Sequence, residues 1–235
     1  CVDFHHGKRI VITILVCGHD VVIIMHKEGD ALLIQQPVYY PFREVIEDNG
    51  RIFVNNQLHY EDGKYTIDFE DFEKKIVDNN VKVFILCNPH NPVGRVWTKE
   101  ELEKMGDICL KHNVVIMDDE IHCDFTYPGF KFTSFMTLDE KYHNSLVLYT
   151  SPSKTFNVAG LQPANIIIKN PELRAAYRKA NAAAGYSQGS IMGQVAIKSV
   201  YTKGDEWVNE LVEYITGNMN YMRDFVKEYF PKAHF

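Results

Sequence analysis

Short, mostly apolar runs alternate with segments of mixed polarity between residues 31 and 168. A continuous apolar run of this length is typical of a strand that is covered on both faces, as in a parallel sheet. Strands that alternate with helices pack as layers of helix on sheet. The sequence therefore predicts an α/β fold with a mostly parallel sheet flanked by helices. The predicted strands are Ala31–Ile34, Arg51–Val54, Val81–Leu86, Val114–Met117, Ser145–Thr150 and Asn165–Ile168.

Amphipathic segments connect these runs and continue after them. Thr98 and Glu101 form the sequence pattern of a capping box, which marks a helix start. Apolar residues recur at helical spacing in the segment before it, namely Phe69, Phe72, Ile76 and Val77. The predicted helices are Phe42–Asn49, Asp68–Asn79, the segment from Thr98 to His112, Pro171–Ala184, Ser190–Tyr201 and Glu206–Tyr229.

The composition excludes several classes of function. A formal net charge of -6, with no cluster of Lys or Arg, argues against binding to nucleic acid. No apolar run approaches the ~18 residues that a membrane-spanning helix needs, so no membrane partner is expected. The five cysteines are odd in number and show no paired pattern, which favours reduced thiols and a cytoplasmic location.

Polar and aromatic residues follow four of the predicted strands. Tyr39 follows Ala31–Ile34, and an Asn-Pro-His-Asn-Pro-Val-Gly segment that contains Asn91 follows Val81–Leu86. Asp119-Glu120-Ile121-His122 follows Val114–Met117, and Ser151-Pro152-Ser153-Lys154 follows Ser145–Thr150. Open α/β sheets bind their ligands beyond the carboxyl ends of the strands. We therefore expect these segments to share one ligand site.

Two chemistries are open for this site. A lysine that is held partly desolvated at a strand end becomes a nucleophile that forms a Schiff base with a carbonyl, whereas a solvated Lys154 would have no such role. A buried acid at a central strand end needs a cation or a protonated ligand nitrogen. The alternative is a metal site built from Asp119, Glu120 and His122, which lacks a second histidine at metal-ligand spacing. Tyr39 either stacks on a planar ligand or packs in the core.

The order of these motifs resembles a known family. Asp-Glu-Ile-His at 119–122 and Ser-Pro-Ser-Lys-Thr-Phe-Asn at 151–157 are similar to motifs of the fold-type I pyridoxal phosphate enzymes, aminotransferase class I/II. Within that family they look most like the MalY/PatB group of carbon–sulfur β-lyases. The resemblance covers residues 29 to 230 and implies the large domain of a fold-type I transferase.

The resemblance also implies a role for each site residue, with pyridoxal 5'-phosphate as the cofactor. Lys154 would form the Schiff base and then act as the general base at the substrate Cα. Asp119 would pair with the protonated pyridine nitrogen, which lets the ring take up electrons. Asn91 and His122 would face the phenolic oxygen, and Tyr39 would stack on the ring. Ser151 and Ser153 would contact the phosphate.

The implied reaction is the α,β-elimination of cystathionine or a related cysteine S-conjugate to pyruvate, ammonia and a thiol. An aminotransferase on the same scaffold is the alternative, and an inactive fragment or non-catalytic binding protein is a third hypothesis. The implied partners are a small amino-acid substrate and a second copy of the chain in a homodimer.

The sequence departs from the family pattern at both phosphate-binding elements. Gln162 stands eight residues after the lysine, where many members have an arginine, and Thr13-Ile14-Leu15-Val16 does not match the glycine-containing loop expected upstream. We expect a poorly matched segment at 1–28, a cofactor-binding domain at 29–205, and a helix at 206–235 that leads into a small domain beyond Phe235. On this interpretation the sequence is truncated at both ends, and the chain alone would bind the cofactor weakly.

Overall fold

The computed structural model describes residues 12–16, 19–23, 28–183 and 189–233. The strands are β1 (Ile12–Val16), β2 (His19–Ile23), β3 (Ala31–Ile34), β4 (Ile52–Asn55), β5 (His59–Glu61), β6 (Lys64–Thr66), β7 (Val81–Cys87), β8 (Val115–Asp119), β9 (Leu146–Thr150) and β10 (Asn165–Ile167). The helices are α1 (Pro41–Asp48), α2 (Phe69–Asp78), α3 (Lys99–Lys111), α4 (Pro171–Ala183), α5 (Ile191–Lys203) and α6 (Asp205–Tyr229).

A six-stranded sheet in the order β10-β9-β8-β7-β3-β4 forms the centre of the described fold. Only its β10 edge is antiparallel, and the other neighbouring pairs are parallel. The prediction of a mostly parallel α/β sheet is confirmed. Two antiparallel pairs, β1 with β2 and β5 with β6, lie outside this sheet.

Local capping explains where two of the helices begin. The carboxylate of Asp68 accepts the amide of Asp71 at the start of α2. At the start of α3, Thr98 and Glu101 form the predicted capping box in both directions. The predicted apolar stripe of α2 is wrong at Val77, which is 56% exposed, because only Phe72 and Ile76 turn fully towards the sheet.

The sheet is covered on both faces, and successive residues of β8 belong to opposite cores. Met117 packs in the core under α1 and α4, whereas Ile116 packs in the core under α2 and α3. Side chains alternate along a strand, so Asp119 follows Met117 and Asp118 follows Ile116. The two adjacent carboxylates at the end of β8 therefore point to different faces of the sheet.

Gly106 lets α3 approach the second core closely. A Cβ at this position would lie 2.6 Å from Cε1 of Tyr142 and 3.0 Å from Cζ of Phe135. Both rings are buried and pack edge to face, with centroids 5.5 Å apart. The helix can pack here only with a residue that has no side chain.

The long helix α6 carries an exposed apolar side. None of its residues is buried, and Tyr214 and Tyr221 are 70% and 71% exposed.

None of the helices in the described part of the chain has the length and apolar character that crossing a bilayer requires.

Candidate active site

Three loops at the carboxyl ends of the parallel strands are joined by hydrogen bonds. The amide of Asn88, after β7, donates to the carbonyl of Asp119 at 3.0 Å, which joins the ends of β7 and β8. His90 Nε2 lies 3.1 Å from the carbonyl of Pro37 in the β3–α1 loop. These contacts bring the loop of Tyr39, the loop of Asn91 and the end of β8 together, as the strand-end argument predicts.

His90 acts as a structural residue in this assembly. It is buried, and burial lowers its pKa to about 4, so the imidazole is neutral. A neutral ring that contacts a carbonyl at Nε2 must carry its proton there. Its ring also packs edge to face on Trp97, whose indole N–H donates to the Cys87 carbonyl at 3.0 Å. The Asn91 loop is therefore held from both sides.

The backbone of this loop is turned by Gly94. Its amide donates to the His90 carbonyl at 2.9 Å with a φ of +71°, a left-handed conformation that glycine adopts without strain. Within the turn, the amide of Asn91 donates to Sγ of Cys87 at 3.4 Å. The Asn91 side chain is thus presented from a loop whose backbone is fixed on both flanks.

Asp119 is a buried carboxylate at the end of a central strand. It is 5% exposed, and its Oδ1 accepts the amide of Ile121 at 3.1 Å. Burial, followed by repulsion from Glu120, raises its pKa to about 7, whereas the Ile121 amide and the charge of Lys154 act in the opposite direction. No cation in the described ranges lies within ion-pair distance of Asp119. Its charge therefore remains largely unbalanced, as a site for a cationic ligand atom requires.

Lys154 lies close enough to two of the predicted partners to act on them electrostatically. Its charge lowers the pKa of Asp119. The pKa of His122 is lowered mainly by burial, and the charge of Lys154 lowers it further. The side chain is exposed, so of the two alternatives left open for Lys154 the structure does not show the partly desolvated one. The structure brings Lys154, Asp119 and His122 together but does not bury the amine.

Ser151 and Ser153 lie buried beneath the lysine and are bonded to each other. Ser151 Oγ is 2.5 Å from the carbonyl of Pro163 and 2.6 Å from Ser153 Oγ. Because a carbonyl only accepts, Ser151 donates to Pro163 and accepts from Ser153. Both hydroxyl groups are buried and already engaged. Contact with a phosphate would require them to rotate.

The contacts of Tyr39 are those of a residue that packs in the core, which was one of its two predicted roles. It is half-buried, contacts Phe42 edge to face at 5.7 Å, and packs against the core under α1. Asn91 and His122, in contrast, both line a cavity of about 1050 Å³ that lies between three loops.

The metal alternative finds no support in the geometry. Among the described residues, no group of three or more acidic, histidine or cysteine side chains is arranged to hold a metal ion. Oε1 of Glu120 instead accepts the amide of Phe135 at 2.9 Å, and Asp118 lies beside it.

Comparison with known proteins decides the family. The model for aminotransferase class I and II matches residues 17–232. The chain belongs to this family. It is 44% identical over 205 residues to cystathionine beta-lyase PatB of Bacillus subtilis (strain 168), an alignment that covers 87% of this chain and 53% of PatB. It is 32% identical over 210 residues to the protein MalY of Escherichia coli (strain K12), covering 88% and 52% of the two chains.

Solved structures of this family share the fold. Cystalysin from Treponema denticola, whose crystal structure contains pyridoxal 5'-phosphate, superposes with a TM-score of 0.86 at 40% identity, covering 88% of this chain and 52% of cystalysin. The carbon–sulfur lyase from Staphylococcus hominis, also bound to pyridoxal phosphate, gives a TM-score of 0.83 at 35% identity, covering 89% and 52%. The chain spans about half the length of these relatives, and the predicted resemblance to the MalY/PatB group is confirmed.

Sequence reasoning missed the residues that hold the lysine segment of this family member in place. Thr155 donates its hydroxyl to Asp124 at 2.7 Å, and Trp207 of α6 donates its indole N–H to the Thr155 carbonyl at 3.2 Å. Both partners are remote in sequence, so no local pattern indicates them. Gln162 lies exposed at the end of a short 3-10 turn in a left-handed conformation, with a φ of 59°.

Proposed function

We propose that this protein is a pyridoxal phosphate-dependent carbon–sulfur β-lyase. Its substrate would be cystathionine or a related cysteine S-conjugate, and the products pyruvate, ammonia and a thiol. The observation that carries the proposal is a buried, unbalanced carboxylate, Asp119, that lies close enough to the amine of Lys154 to be influenced by its charge. The relatives PatB and the Staphylococcus hominis lyase support the choice of reaction.

The site fits the cofactor at its ring nitrogen and at its carbonyl. When bound, pyridoxal phosphate supplies a ring that takes up the electrons left at the substrate Cα. Asp119 would hold the positive charge of the protonated ring nitrogen, and that charge would lower the pKa of Asp119 and keep it ionised. Lys154 would bind the carbonyl carbon, and its freed Nζ would then accept the proton from Cα.

The remaining residues would orient the ring and bind its phosphate. Asn91 and His122, which line one cavity, would face the phenolic oxygen, and Tyr39 would stack on the ring. Ser151 and Ser153 would contact the phosphate after their hydroxyls rotate away from Pro163 and from each other. Each hydrogen bond to the charged phosphate would contribute on the order of 1.5 to 3 kcal/mol.

We propose three segments for the chain. Residues 29–205 would form the cofactor-binding domain, preceded by a poorly matched segment at 1–28. Residues 206–235 would carry the helix α6, whose apolar side would contact a second domain. The exposure of Tyr214 and Tyr221 supports the last assignment.

The protein is further proposed to act as a homodimer in the cytoplasm. The described cysteines support a reducing compartment, since Cys87, Cys109 and Cys123 are free thiols. Light scattering of the purified protein measures the assembly, and a monomer at all concentrations would contradict it.

The test is chemical attachment of the cofactor. Purified protein with pyridoxal phosphate is expected to show a visible absorbance band, and borohydride reduction is expected to leave the adduct on Lys154. Lys154→Arg should lose the band, while Lys198→Arg, an exposed lysine of α5, should keep it. An adduct on a different lysine, or no band even in a large excess of cofactor, would refute the proposal. Assays of pyruvate release from cystathionine, compared with amino transfer to a keto acid, separate the lyase from an aminotransferase.

A further inference from the structure

A cavity beside the site has its own chemical character. It is enclosed by the β5–β6 hairpin, the loop of Asn91 and the loop after His122, and has a volume of about 1050 Å³. Asn91 and His122 line it, so it opens onto the residues that would face the cofactor. Its aromatic lining consists of Tyr60, Tyr65, Trp97, Phe125, Tyr127 and Phe130.

The charged lining of this cavity is entirely cationic. Lys64, Arg95 and Lys131 line it, and no aspartate or glutamate does. Arg95 is already neutralised, because it forms a salt bridge of 2.8 Å with Glu101 and stacks on Trp97 at 4.5 Å. Lys64 and Lys131 are exposed at the cavity, and no ion pair to either is found in the described part of the chain. Glu61 lies opposite Lys64 in the antiparallel register of β5 and β6, but it does not line the cavity.

This combination selects for a ligand with an apolar body and a negative end. Aromatic rings offer a large contact area to a flat or thioether group. Rings alone would also attract a cation, but the charges of Lys64 and Lys131 oppose it. A cavity of this size is suited to a small molecule, since such sites are typically about 300 to 1,000 Å³.

We propose that this cavity binds the leaving group of the substrate and selects an S-conjugate whose sulfur carries an apolar or aromatic group ending in an anion. The amino-acid end would lie at Asn91 and His122, and the anionic end would reach Lys64 and Lys131. This assignment rests on the proposed lyase function, but the cavity's preference for an anion can be measured without any reaction.

The first experiment measures binding alone. Trp97 lines the cavity, and Trp207→Phe leaves it as the single tryptophan, since the chain has two. The probes are (benzylthio)acetate and its neutral amide, (benzylthio)acetamide. The acid is expected to change Trp97 emission and to bind about two- to twentyfold more tightly than the amide, because each of the two exposed ion pairs, with Lys64 and Lys131, contributes up to a factor of about five. The preference should fall as KCl is raised from 0.05 to 0.5 M.

Matched variants locate the preference. Lys64→Met with Lys131→Met is expected to bind both probes equally, whereas Lys198→Met, the same charge change on α5, should keep the preference. Equal binding of the two probes to the unchanged protein would overturn the proposal. So would a preference that survives in the double variant.

The second experiment joins the cavity to the cofactor site. With pyridoxal phosphate present, S-(4-carboxybenzyl)-L-cysteine should perturb the visible band at lower concentration than its 4-carbamoyl counterpart, and the double variant should abolish the difference. A lysine-dependent preference for (benzylthio)acetate without any cofactor band would refute the lyase function and still support an anion-selective cavity. A normal band with no difference between the two conjugates would overturn the leaving-group assignment and leave the lyase function standing.

Discussion

Replacing Asp118 with asparagine is expected to stabilise the protein increasingly as the pH rises. Asp118 is fully buried on the face of the sheet opposite Asp119, where neither carboxyl oxygen makes a well-formed hydrogen bond in the described structure, although the nearby side chain of Asn88 favours the charged form. Burial raises its pKa well above the usual range, and the adjacent carboxylates of Glu120 and Asp119 raise it further. As carboxylates, Asp118 and Glu120 can only repel each other, so a hydrogen bond between them needs a proton.

The sign of the pH dependence follows from this raised pKa. In the folded protein Asp118 keeps its proton above pH 4, whereas in the unfolded chain it loses the proton near the ordinary value of about 3.9. The folded state then binds more protons than the unfolded state, so its stability falls as pH rises. The loss begins near the unfolded pKa and ends at the raised folded pKa. Within that window each pH unit costs about 1.4 kcal/mol of unfolding free energy.

Asparagine at position 118 has nearly the same shape and stays neutral at all these pH values. Its side-chain amide can donate to Glu120 without taking up a proton. Asp118 and Glu120 shift each other's pKa, so the difference between the proteins measures the proton held by this pair. We therefore expect the stability advantage of Asp118→Asn to be small at pH 4 and to grow by up to about 1.4 kcal/mol per pH unit as the pH rises from there towards the raised pKa of Asp118.

Urea unfolding of the cofactor-free protein at pH 4, 5, 6 and 7 measures this difference by linear extrapolation. The control is Asp224→Asn, which makes the same acid-to-amide change at an exposed position near the end of α6, away from the buried carboxylates. A stability difference that does not change with pH, or an Asp118→Asn protein that is less stable throughout, would show that Asp118 is not held protonated.

Three further substitutions test packing, phosphate binding and charge. Gly106→Ala should lower the unfolding free energy by about 1 to 3 kcal/mol, because the new Cβ would clash with Tyr142. Gly217→Ala, where a Cβ would meet no atom within 4 Å, should raise the unfolding free energy by about 0.5 to 1 kcal/mol. Thermal melts in which the two variants change stability in the same direction would contradict this. Gln162→Arg should raise the affinity for the cofactor at least about tenfold in an absorbance titration, since a hydrogen bond to a charged group contributes on the order of 1.5 to 3 kcal/mol. An affinity equal to that of Gln162→Met would count against a phosphate contact at this position. Asp119→Asn should lose most pyruvate release, because a neutral partner cannot hold the ring nitrogen protonated. In the cofactor-free protein, the stability gained by Asp119→Asn should grow from about pH 4 to about pH 7, the pKa of Asp119, and then level off. Urea titrations at those pH values test this.

The sequence by itself determined the layers of this protein and the order of its strand-end motifs. Apolar runs such as Val81–Leu86 and the capping box at Thr98 depend on neighbours within a few residues, so they could be interpreted without knowledge of distant contacts. Because parallel strands end at one edge of a sheet, the same pattern placed Asn91 and Asp119 at neighbouring strand ends. The hydrogen bond between Asn88 and Asp119 confirms that the ends of β7 and β8 meet.

Only the tertiary structure decided the environment of each site residue. Ser151 and Ser153 are two hydroxyls in a polar segment by sequence, but the carbonyl of Pro163 turns them inward. Lys154 is exposed where the motif suggests burial, and Asp118 is as buried as Asp119 although it faces the opposite core. Solvation and charge are set by side chains that arrive from other elements, and the distances between them are absent from any local pattern. For that reason the sequence could predict which groups meet at the site, but not their protonation or their exposure.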